Sequence, residues 1–398
     1  MFSLNKRRRP TPRGAYAALL SGLGMLAALF GALPAALVAV TGQDIFWWSG
    51  VMLVIVAAGI EAISGEWADT YSKDEIKALS TRNIYRVFTC GFVPLQIITF
   101  AIAGFMWGHA ALTPFDKIGL MVTMGIMGGF AINVAHELRH RPGKFESFMA
   151  KVALSIVLYS HFYSEHNWGH HVKVATPADP VSARFGESYY RFFWRAVIGE
   201  YKFAAAAERE RLGRKGKRVW GIHNDIVQGW LMTLVFYGTL IAVFGWQLLP
   251  YMVGQAFIAI AFLECINYVE HYGQLREQRP DGRYERCGQK HAWNAGKIVT
   301  GLGIFNLQRH SDHHVHPGRR YQALELTDEA SLLPGGYAQM VIVALLPPLW
   351  FRVMNPCVLA LYDNDIRKVN LTPKLRAQHG YHPAAPGGAQ DPDRSVAA

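Results

Sequence analysis

Six stretches of this sequence are apolar over a length close to the roughly 20 residues that a bilayer-spanning helix needs. The last two are separated by a single residue, and each of the other pairs is joined by a short connection. The pattern predicts three helical hairpins and an all-α integral membrane protein with six transmembrane helices. The six apolar segments are 15–40, 45–63, 87–108, 118–135, 229–249 and 251–268.

Composition supports a membrane protein. The chain has 398 residues, of which 51% are hydrophobic, 13% aromatic and only 17% charged, which is too apolar for an ordinary soluble domain. The first apolar segment is too long for a cleaved signal peptide, and a second follows almost at once. The net charge of +11 is concentrated between the hairpins and at the ends, as expected for loops retained on the cytoplasmic side.

Both termini are therefore predicted to be cytoplasmic, with helical caps on that side of the bilayer. The segment 336–362 is apolar but interrupted by prolines and an arginine, which favours a membrane-surface or re-entrant segment over a seventh span. We predict a basic N-terminus (1–14), four helices (15–135), a cap of short helices (136–228), two helices (229–268), a second cap (269–382) and a disordered tail (383–398).

Eleven of the sixteen histidines lie in four short groups, each just after an apolar segment or in the polar region that follows one. His136 and His140 are four residues apart, which places them on one face of a helix. The same spacing predicts that His166 and His170 share a face, with His171 turned towards a second site. His310, His313 and His314 repeat the pattern. Because imidazole is a common ligand of transition metals, the sequence predicts a metal centre beside the membrane.

Two polar residues of the sixth apolar segment are predicted to line a cavity beneath this centre. Glu264 and Asn267 share a helix face with His271, and carboxylates inside a membrane are costly unless they face the protein interior or water. We take Glu264 and Asn267 as candidate catalytic residues, together with Asp312 between His310 and His313. Glu264 is expected to contact a metal ligand or to bind metal itself, and either residue is alternatively a polar group that packs helices together.

The sequence leaves two further functions open. His136-Glu137-Leu138-Arg139-His140 also matches the His-Glu-x-x-His pattern of zinc proteases, in which one zinc needs only three protein ligands. A non-catalytic metal carrier is the other. The remaining histidine groups fit two metals better than one. The four cysteines show no paired spacing, so an electron-transfer site of thiolates is not predicted within this chain.

The histidine groups, with their neighbours, resemble the signature motifs of the membrane-bound alkane monooxygenases. The resemblance runs from about the first helix to Pro373, and its third and fourth motifs distinguish this family from the membrane desaturases and fatty-acid hydroxylases. The matching motifs are His136-Glu137-Leu138-Arg139-His140, Glu165-His166-Asn167-Trp168-Gly169-His170-His171 continuing to Asp179-Pro180, Asn267-Tyr268-Val269-Glu270-His271-Tyr272-Gly273, and Leu307-Gln308-Arg309-His310-Ser311-Asp312-His313-His314.

The resemblance implies a non-haem di-iron centre, dioxygen as co-substrate, and conversion of a linear alkane of medium or long chain to its primary alcohol. It also implies rubredoxin as the electron donor, reduced in turn by an NADH-dependent reductase, and a location in a bacterial inner membrane. His161 and His316 fall outside the family pattern and are expected to form hydrogen bonds or to face solvent. The implied iron ligands are His136, His140, His166, His170, His171, His271, His310, His313 and His314.

Overall fold

The computed structural model describes residues 22, 24–26, 29, 32–66 and 70–379. Within them, five helical segments are long and apolar enough to cross a membrane, so the prediction of an integral membrane protein is confirmed. The first predicted span, 15–40, lies largely outside the described residues, so that six spans are not confirmed. The five segments are Asp44–Ile63, Asn83–His109, Pro114–Arg139, Asp225–Phe244 and Trp246–His271.

Sixteen α-helices and two short strands make up the regular structure of the described residues. The α-helices are α1 (Leu33–Thr41), α2 (Ser49–Ile63), α3 (Lys73–Thr81), α4 (Asn83–His109), α5 (Pro114–Arg139), α6 (Lys144–Ile156), α7 (Phe162–Glu165), α8 (His171–Lys173), α9 (Tyr189–Arg214), α10 (Asp225–Phe244), α11 (Leu249–His271), α12 (Ile298–Gly303), α13 (His310–Val315), α14 (Tyr337–Ala344), α15 (Pro347–Leu361) and α16 (Pro373–Gln378). Strands β1 (Trp293–Asn294) and β2 (Ser331–Leu332) pair in parallel. Single turns of 3₁₀-helix occur at Asp44–Trp48, Trp246–Leu248, Tyr321–Ala323 and Ile366–Lys368.

Helix α5 is the centre of the membrane bundle, with most of its length buried, whereas α2 and α10 are largely exposed. It begins at a capping box in which Thr113 and Asp116 satisfy each other's backbone N–H groups. Three glycines of α5 face α11 so closely that a Cβ on Gly125 would lie 2.5 Å from the side chain of Ile258, and one on Gly129 would lie 2.6 Å from Phe262. Small residues four apart allow such backbone contact between membrane helices.

Three of the predicted apolar segments end at a different residue in the structure. The fourth and sixth apolar segments continue as helix beyond the predicted ends, to Arg139 and His271. Their last turns therefore carry histidines out of the bundle on the backbone of a spanning helix. The predicted span 229–249 was too long at its end, because Gly245, with φ of 90°, terminates α10 at Phe244.

The prediction that the region 136–228 is a cap of short helices is wrong in one respect. It contains α6, α7 and α8, but also α9, which is 26 residues long. Helix α9 packs against α7 and α11 and buries Glu200 and Glu208 on its inner side. The region 136–228 thus contains one long helix that packs along α11, where the Tyr189 hydroxyl donates to the Ala261 carbonyl.

The apolar segment 336–362 forms two helices and no span, which agrees with the predicted interruption. Helix α14 packs against α2 and α11, and its first turn is capped from outside because the carboxylate of Glu61 accepts the N–H of Gln339 at 3.1 Å. Helix α15 places Trp350, Met354 and Val358 in the core. The predicted N-terminus 1–14 and tail 383–398 lie outside the described residues.

Candidate metal centre

Nine buried or partly buried histidines converge where α5 and α11 leave the bundle. They fall into two groups, and in each group one ligand atom per residue lies within 4.8 Å of all the others. The five-histidine cluster is His136, His140, His166, His171 and His313, and the four-histidine cluster is His170, His271, His310 and His314. These are the nine histidines that the sequence singled out. They form two adjacent clusters, each of which could hold one metal ion.

Helical spacing explains most of this grouping. His136 and His140 are one turn apart at the end of α5 and join the same cluster, as the i, i+4 pattern predicted. His310 and His314 of α13 also share a cluster. His313 stands about 100° away from its neighbour around that helix and reaches the other cluster. One short helix therefore supplies ligands to both sites.

The prediction that His166 and His170 share a site is wrong, and the reason is a π-helical turn over His166–His170. The N–H of His171 donates to the carbonyl of His166, five residues earlier. In an α-helix these two side chains would point about 140° apart, but the wider π turn brings residues five apart to the same side. His166 and His171 consequently enter the five-histidine cluster, and His170 enters the other.

The imidazole nitrogens point inwards, as metal ligands require. The Nε2 atoms of His171 and His166 are 2.9 Å apart, and that of His313 is 3.1 Å from His171 Nε2. In the four-histidine cluster, His310 Nε2 lies 3.1 Å from His271 Nε2 and 2.9 Å from His314 Nε2. The buried Nε2 atoms of His136, His140 and His170 have no hydrogen-bond partner. Such unsatisfied, convergent nitrogens fit a metal ion better than a hydrogen-bonded core.

Burial also keeps these rings in the state that binds metal. For the six cluster histidines outside the membrane-spanning segments, burial first and neighbouring imidazoles second lower the pKa well below the ordinary value; they are His140, His166, His171, His310, His313 and His314. A neutral imidazole has a free lone pair, whereas an imidazolium has none. The clusters are therefore ready to bind metal at neutral pH.

Two carboxylates touch the four-histidine cluster. Asp179 accepts a hydrogen bond from His170 Nδ1 at 3.0 Å and another from the Ser182 hydroxyl at 2.7 Å, which directs His170 Nε2 towards the cluster. Burial alone would raise the pKa of Asp179, but His170 and Ser182 lower it below its ordinary value. Glu270 places Oε2 3.4 Å from His310 Nε2, so this cluster has a carboxylate oxygen at its edge.

Of the predicted catalytic residues, Glu264 and Asn267 lie together as expected. Both are buried, and Asn267 Nδ2 donates to Glu264 Oε1 at 3.2 Å. Asn267 is one helical turn before His271 on α11. Glu264 contacts the hydroxyl of Tyr159 rather than a cluster histidine. The expectation that it would contact a metal ligand directly is thus not met by the hydrogen bonds of the described residues.

Asp312, the third candidate catalytic residue, forms its hydrogen bonds with residues outside both clusters. Its Oδ2 accepts hydrogen bonds from Arg319 at 2.8 Å and from the N–H of Glu325 at 2.9 Å, while Oδ1 pairs with His316 at 2.9 Å and Gln289 at 3.1 Å. Both oxygens are engaged on the side of α13 away from the clusters. These contacts hold α13 against the loops around it, so Asp312 positions the ligand helix.

His161 and His316 lie outside both clusters, as the sequence predicted. His316 is half exposed and bound to Asp312. The expectation that His161 forms a hydrogen bond or faces solvent is not met, because the residue is buried and its Nε2 has no hydrogen-bond partner. Its ring centroid lies 4.5 Å from that of Tyr159. The sequence analysis did not identify Tyr159 or Glu200. In the interior, the Tyr159 hydroxyl contacts both Glu200 and Glu264. The only signal was Glu200 itself, an acid in the strongly aromatic start of α9.

The His-Glu-x-x-His pattern has no protease geometry here. Glu137 forms an ion pair with Arg141 at 2.7 Å and also meets the backbone N–H of Tyr321. A general base must reach the metal-bound water, but this carboxylate is committed to a cation beside the site. His136 and His140 also share their cluster with three further histidines, two more than a catalytic zinc needs.

Comparison with known proteins agrees with this architecture. The fatty acid desaturase family profile matches residues 117–342. Alkane 1-monooxygenase of Acinetobacter baylyi is 43% identical over 82% of this chain and 80% of that protein. The enzyme of the same name from Pseudomonas putida is 38% identical over 85% of each, and alkane 1-monooxygenase 1 of Alcanivorax borkumensis is 37% identical over 91% and 89%. The chain therefore belongs to the alkane 1-monooxygenase family and to the fatty acid desaturase family whose profile it matches.

Proposed function

We propose that this enzyme hydroxylates the terminal carbon of medium or long linear alkanes, using dioxygen, two iron ions and electrons from rubredoxin. The observation that carries the proposal is the convergence of nine histidines into two sites at the end of a membrane helix bundle. An alkane dissolves in the bilayer, and α5 and α11 lead from the bilayer to these histidines. The relatives described above are named alkane 1-monooxygenases.

The reaction has a defined balance: RH + O2 + 2 e⁻ + 2 H⁺ gives ROH + H2O. An alkane C–H bond has no polar handle for acid–base or nucleophilic chemistry, so a redox-active metal is required. Iron bound by the nine histidines would supply the reduction of dioxygen and the oxidation of the C–H bond. The five-histidine cluster would hold one ion and the four-histidine cluster the other.

The protein's own groups have three tasks in this proposal. The spanning helices exclude water from the reacting carbon, which prevents the loss of reduced oxygen species. Asp179 and the π turn fix the ligand directions. Asn267 lies one turn before His271, and we propose that it and Glu264 form the floor of the site on the substrate side.

Orientation and electron supply follow from charge. We propose that the histidine end of the bundle and both termini face the cytoplasm of a bacterial cell, with the bundle in the inner membrane, because the basic residues of the sequence are concentrated in the segments at that end. A basic face suits an acidic soluble electron carrier. We propose that this carrier is rubredoxin, reduced in turn by an NADH-dependent reductase.

The closest alternative is a membrane fatty-acid desaturase or hydroxylase, which uses similar metal chemistry on a different substrate. It predicts oxidation of acyl chains and little turnover of alkanes. The zinc protease alternative predicts one tightly bound zinc, and Glu137 paired with Arg141 argues against it. A metal carrier predicts exchangeable metal and no oxygen uptake.

One experiment distinguishes these functions. The full-length protein, purified in detergent or nanodiscs, is analysed for metals and then assayed for oxygen uptake with reduced rubredoxin and octane. We expect two irons per chain and one 1-octanol per dioxygen consumed. One zinc per chain with no oxygen uptake, or oxidation of acyl chains but not of octane, would refute the proposal.

Removing the carboxylate beside His170 should weaken one iron site. Asp179→Ala deletes the acceptor for His170 Nδ1, so the ring loses its fixed direction and tautomer. Loss of such an outer partner typically costs about 10–100-fold in metal affinity or activity, and we expect a loss in that range. The measurement is iron retained per chain after dialysis against a graded chelator. Ser155→Ala is the control, because the buried Ser155 hydroxyl donates to the Val152 carbonyl within α6. Equal iron retention in both variants would contradict the role of Asp179.

Chain-length preference should depend on aromatic rings along α5 and α11. The rings of Phe130 and Phe262 lie 5.7 Å apart, and Phe130 precedes His136 by six residues, or about 9 Å of helix. Trp48 packs against Gly119 of α5, and Gly119 lies about 25 Å from His136 along that helix. We expect Phe262→Ala to shift the substrate preference towards longer alkanes than the wild-type enzyme prefers, measured as relative rates on octane, dodecane and hexadecane. Phe257→Ala, at a half-exposed position of α11, is the control, and an unchanged profile for Phe262→Ala would reject this path.

A further inference from the structure

Three buried side chains from separate elements meet beside the metal centre. Tyr159 follows α6, Glu200 belongs to α9 and Glu264 to α11, and none of the three has measurable exposure. The Tyr159 hydroxyl is hydrogen-bonded to Glu200 and lies 3.0 Å from Glu264 Oε1. We call these three residues the carboxyl–tyrosine triad. None of them belongs to the nine-histidine set.

The number of protons in the triad decides which of its contacts are hydrogen bonds. A phenol has one proton to donate, and an ionised carboxylate only accepts hydrogen bonds. The Tyr159 oxygen contacts a carboxyl oxygen on each side, so both contacts are hydrogen bonds only if one carboxyl group is protonated and donates to the phenol oxygen. The triad therefore contains a proton beyond that of the phenol. If Glu200 passes its proton to the Tyr159 oxygen while Tyr159 passes its own proton to Glu264, one proton has moved from one carboxyl group to the other.

The surroundings favour a protonated carboxyl group. Burial first, and then the nearby carboxylates of Glu264 and Glu165, raise the pKa of Glu200 well above its ordinary value. Asp179 adds a further negative charge at longer range. The surroundings thus favour the neutral form of the Glu200 carboxyl group, which can donate a proton to Tyr159.

The triad has an outer and an inner end. On the outer side, the ring of His161 lies 4.5 Å from that of Tyr159 and 5.6 Å from that of Tyr201, which is 41% exposed. On the inner side, Glu264 accepts a hydrogen bond from Asn267, one turn before His271. The remaining oxygens, Glu200 Oε1 and Glu264 Oε2, are buried without a partner, which suits contacts with intervening water.

We propose that the carboxyl–tyrosine triad relays protons from the protein exterior to the metal centre during dioxygen reduction. The inference rests on the proposed function, in which each turnover consumes two protons and two electrons and releases one water. The electrons come from the reduced carrier protein, and the protons reach a site from which water is excluded. Each transfer breaks an O–H bond at Glu200 and forms one at Glu264, with the Tyr159 hydroxyl as the intermediate donor and acceptor. Glu264 then gives its proton to the oxygen that is reduced to water, and Glu200 regains a proton from solvent water.

The decisive variant is Tyr159→Phe, which removes the hydroxyl that joins the carboxyl groups and keeps the ring. We expect kcat to fall by about 100-fold, near the lower end of what a positioned proton donor contributes. More hydrogen peroxide and less 1-octanol should form per electron consumed, because dioxygen reduced by two electrons then leaves the site before the relay delivers protons and takes its two protons from solvent. The solvent deuterium isotope effect on kcat should increase, while the iron content stays at the wild-type value.

Two further variants keep the test independent of folding. Glu200→Gln retains shape but cannot ionise and should reproduce the Tyr159→Phe result. Tyr189→Phe is the matched control, because Tyr189 is also a buried tyrosine that joins α9 to α11, but its hydroxyl donates to the Ala261 carbonyl at 2.7 Å and meets no carboxylate. It should keep wild-type coupling of electrons to alcohol.

The outcomes separate this inference from the proposed function. If the wild-type protein forms no 1-octanol, the proposed function fails. If it does, and Tyr159→Phe and Glu200→Gln retain wild-type coupling and isotope effect, the relay is refuted. Loss of iron in parallel with activity in both variants would also refute it, because the triad would then serve only to hold the structure.

Discussion

His313→Ala and His314→Ala are each expected to abolish hydroxylation, but by emptying different metal sites. The two residues are neighbours in the chain, yet His313 belongs to the five-histidine cluster and His314 to the four-histidine cluster. Loss of a ligand leaves each affected site with one fewer nitrogen and a gap open to water. We expect each variant to retain about one iron of two, and Mössbauer spectra should show that the remaining iron differs between them.

The control for this pair is His316→Ala. His316 follows closely in the same segment but binds Asp312 and stands outside both clusters. It should keep both irons and most of the activity. Identical spectra for the remaining iron in His313→Ala and His314→Ala would contradict the division of the nine histidines into these two sites.

Gly125→Leu is expected to prevent correct assembly of the membrane bundle. A Cβ at Gly125 would lie 2.5 Å from the Cβ of Ile258 and 3.0 Å from the carbonyl oxygen of Gln255, and neither a helix backbone nor a branched side chain can move away easily. Overpacking of a well-packed interior costs about 1–3 kcal/mol and occasionally more. Because α5 and α11 carry His136, His140 and His271, we expect a lower melting temperature and loss of iron together, measured on protein in nanodiscs.

Gly238→Leu is the matched substitution on α10, where an added Cβ meets no atom within 4 Å. It should leave both the melting temperature and iron content near the wild-type values. Wild-type stability and iron content in Gly125→Leu would show that the close approach of α5 and α11 is not needed for the metal centre.

Sequence reasoning reached the membrane spans and the nine histidines for a local reason. A spanning helix is specified by the length of its apolar run, so 45–63, 87–108 and 118–135 are recognisable without knowledge of their neighbours. Metal ligands are similarly visible, because imidazoles at helical spacing beside apolar segments are unusual. The error at 229–249 is also local in origin, since apolar residues continue past Gly245, where a backbone of positive φ ends α10.

The sequence by itself thus determined that this is a helical membrane protein with a nine-histidine centre, because both features are encoded in short stretches of chain. Only the tertiary structure decided which histidines share a site, that Asp312 holds a helix, and that Tyr159 and Glu200 meet Glu264. Whether His171 joins His166 or His170 depends on one π turn, whose hydrogen bonds the spacing of residues does not specify. The triad joins groups 41 and 105 residues apart in the chain, and only the packing of α9 and α11 against the segment after α6 brings them into contact.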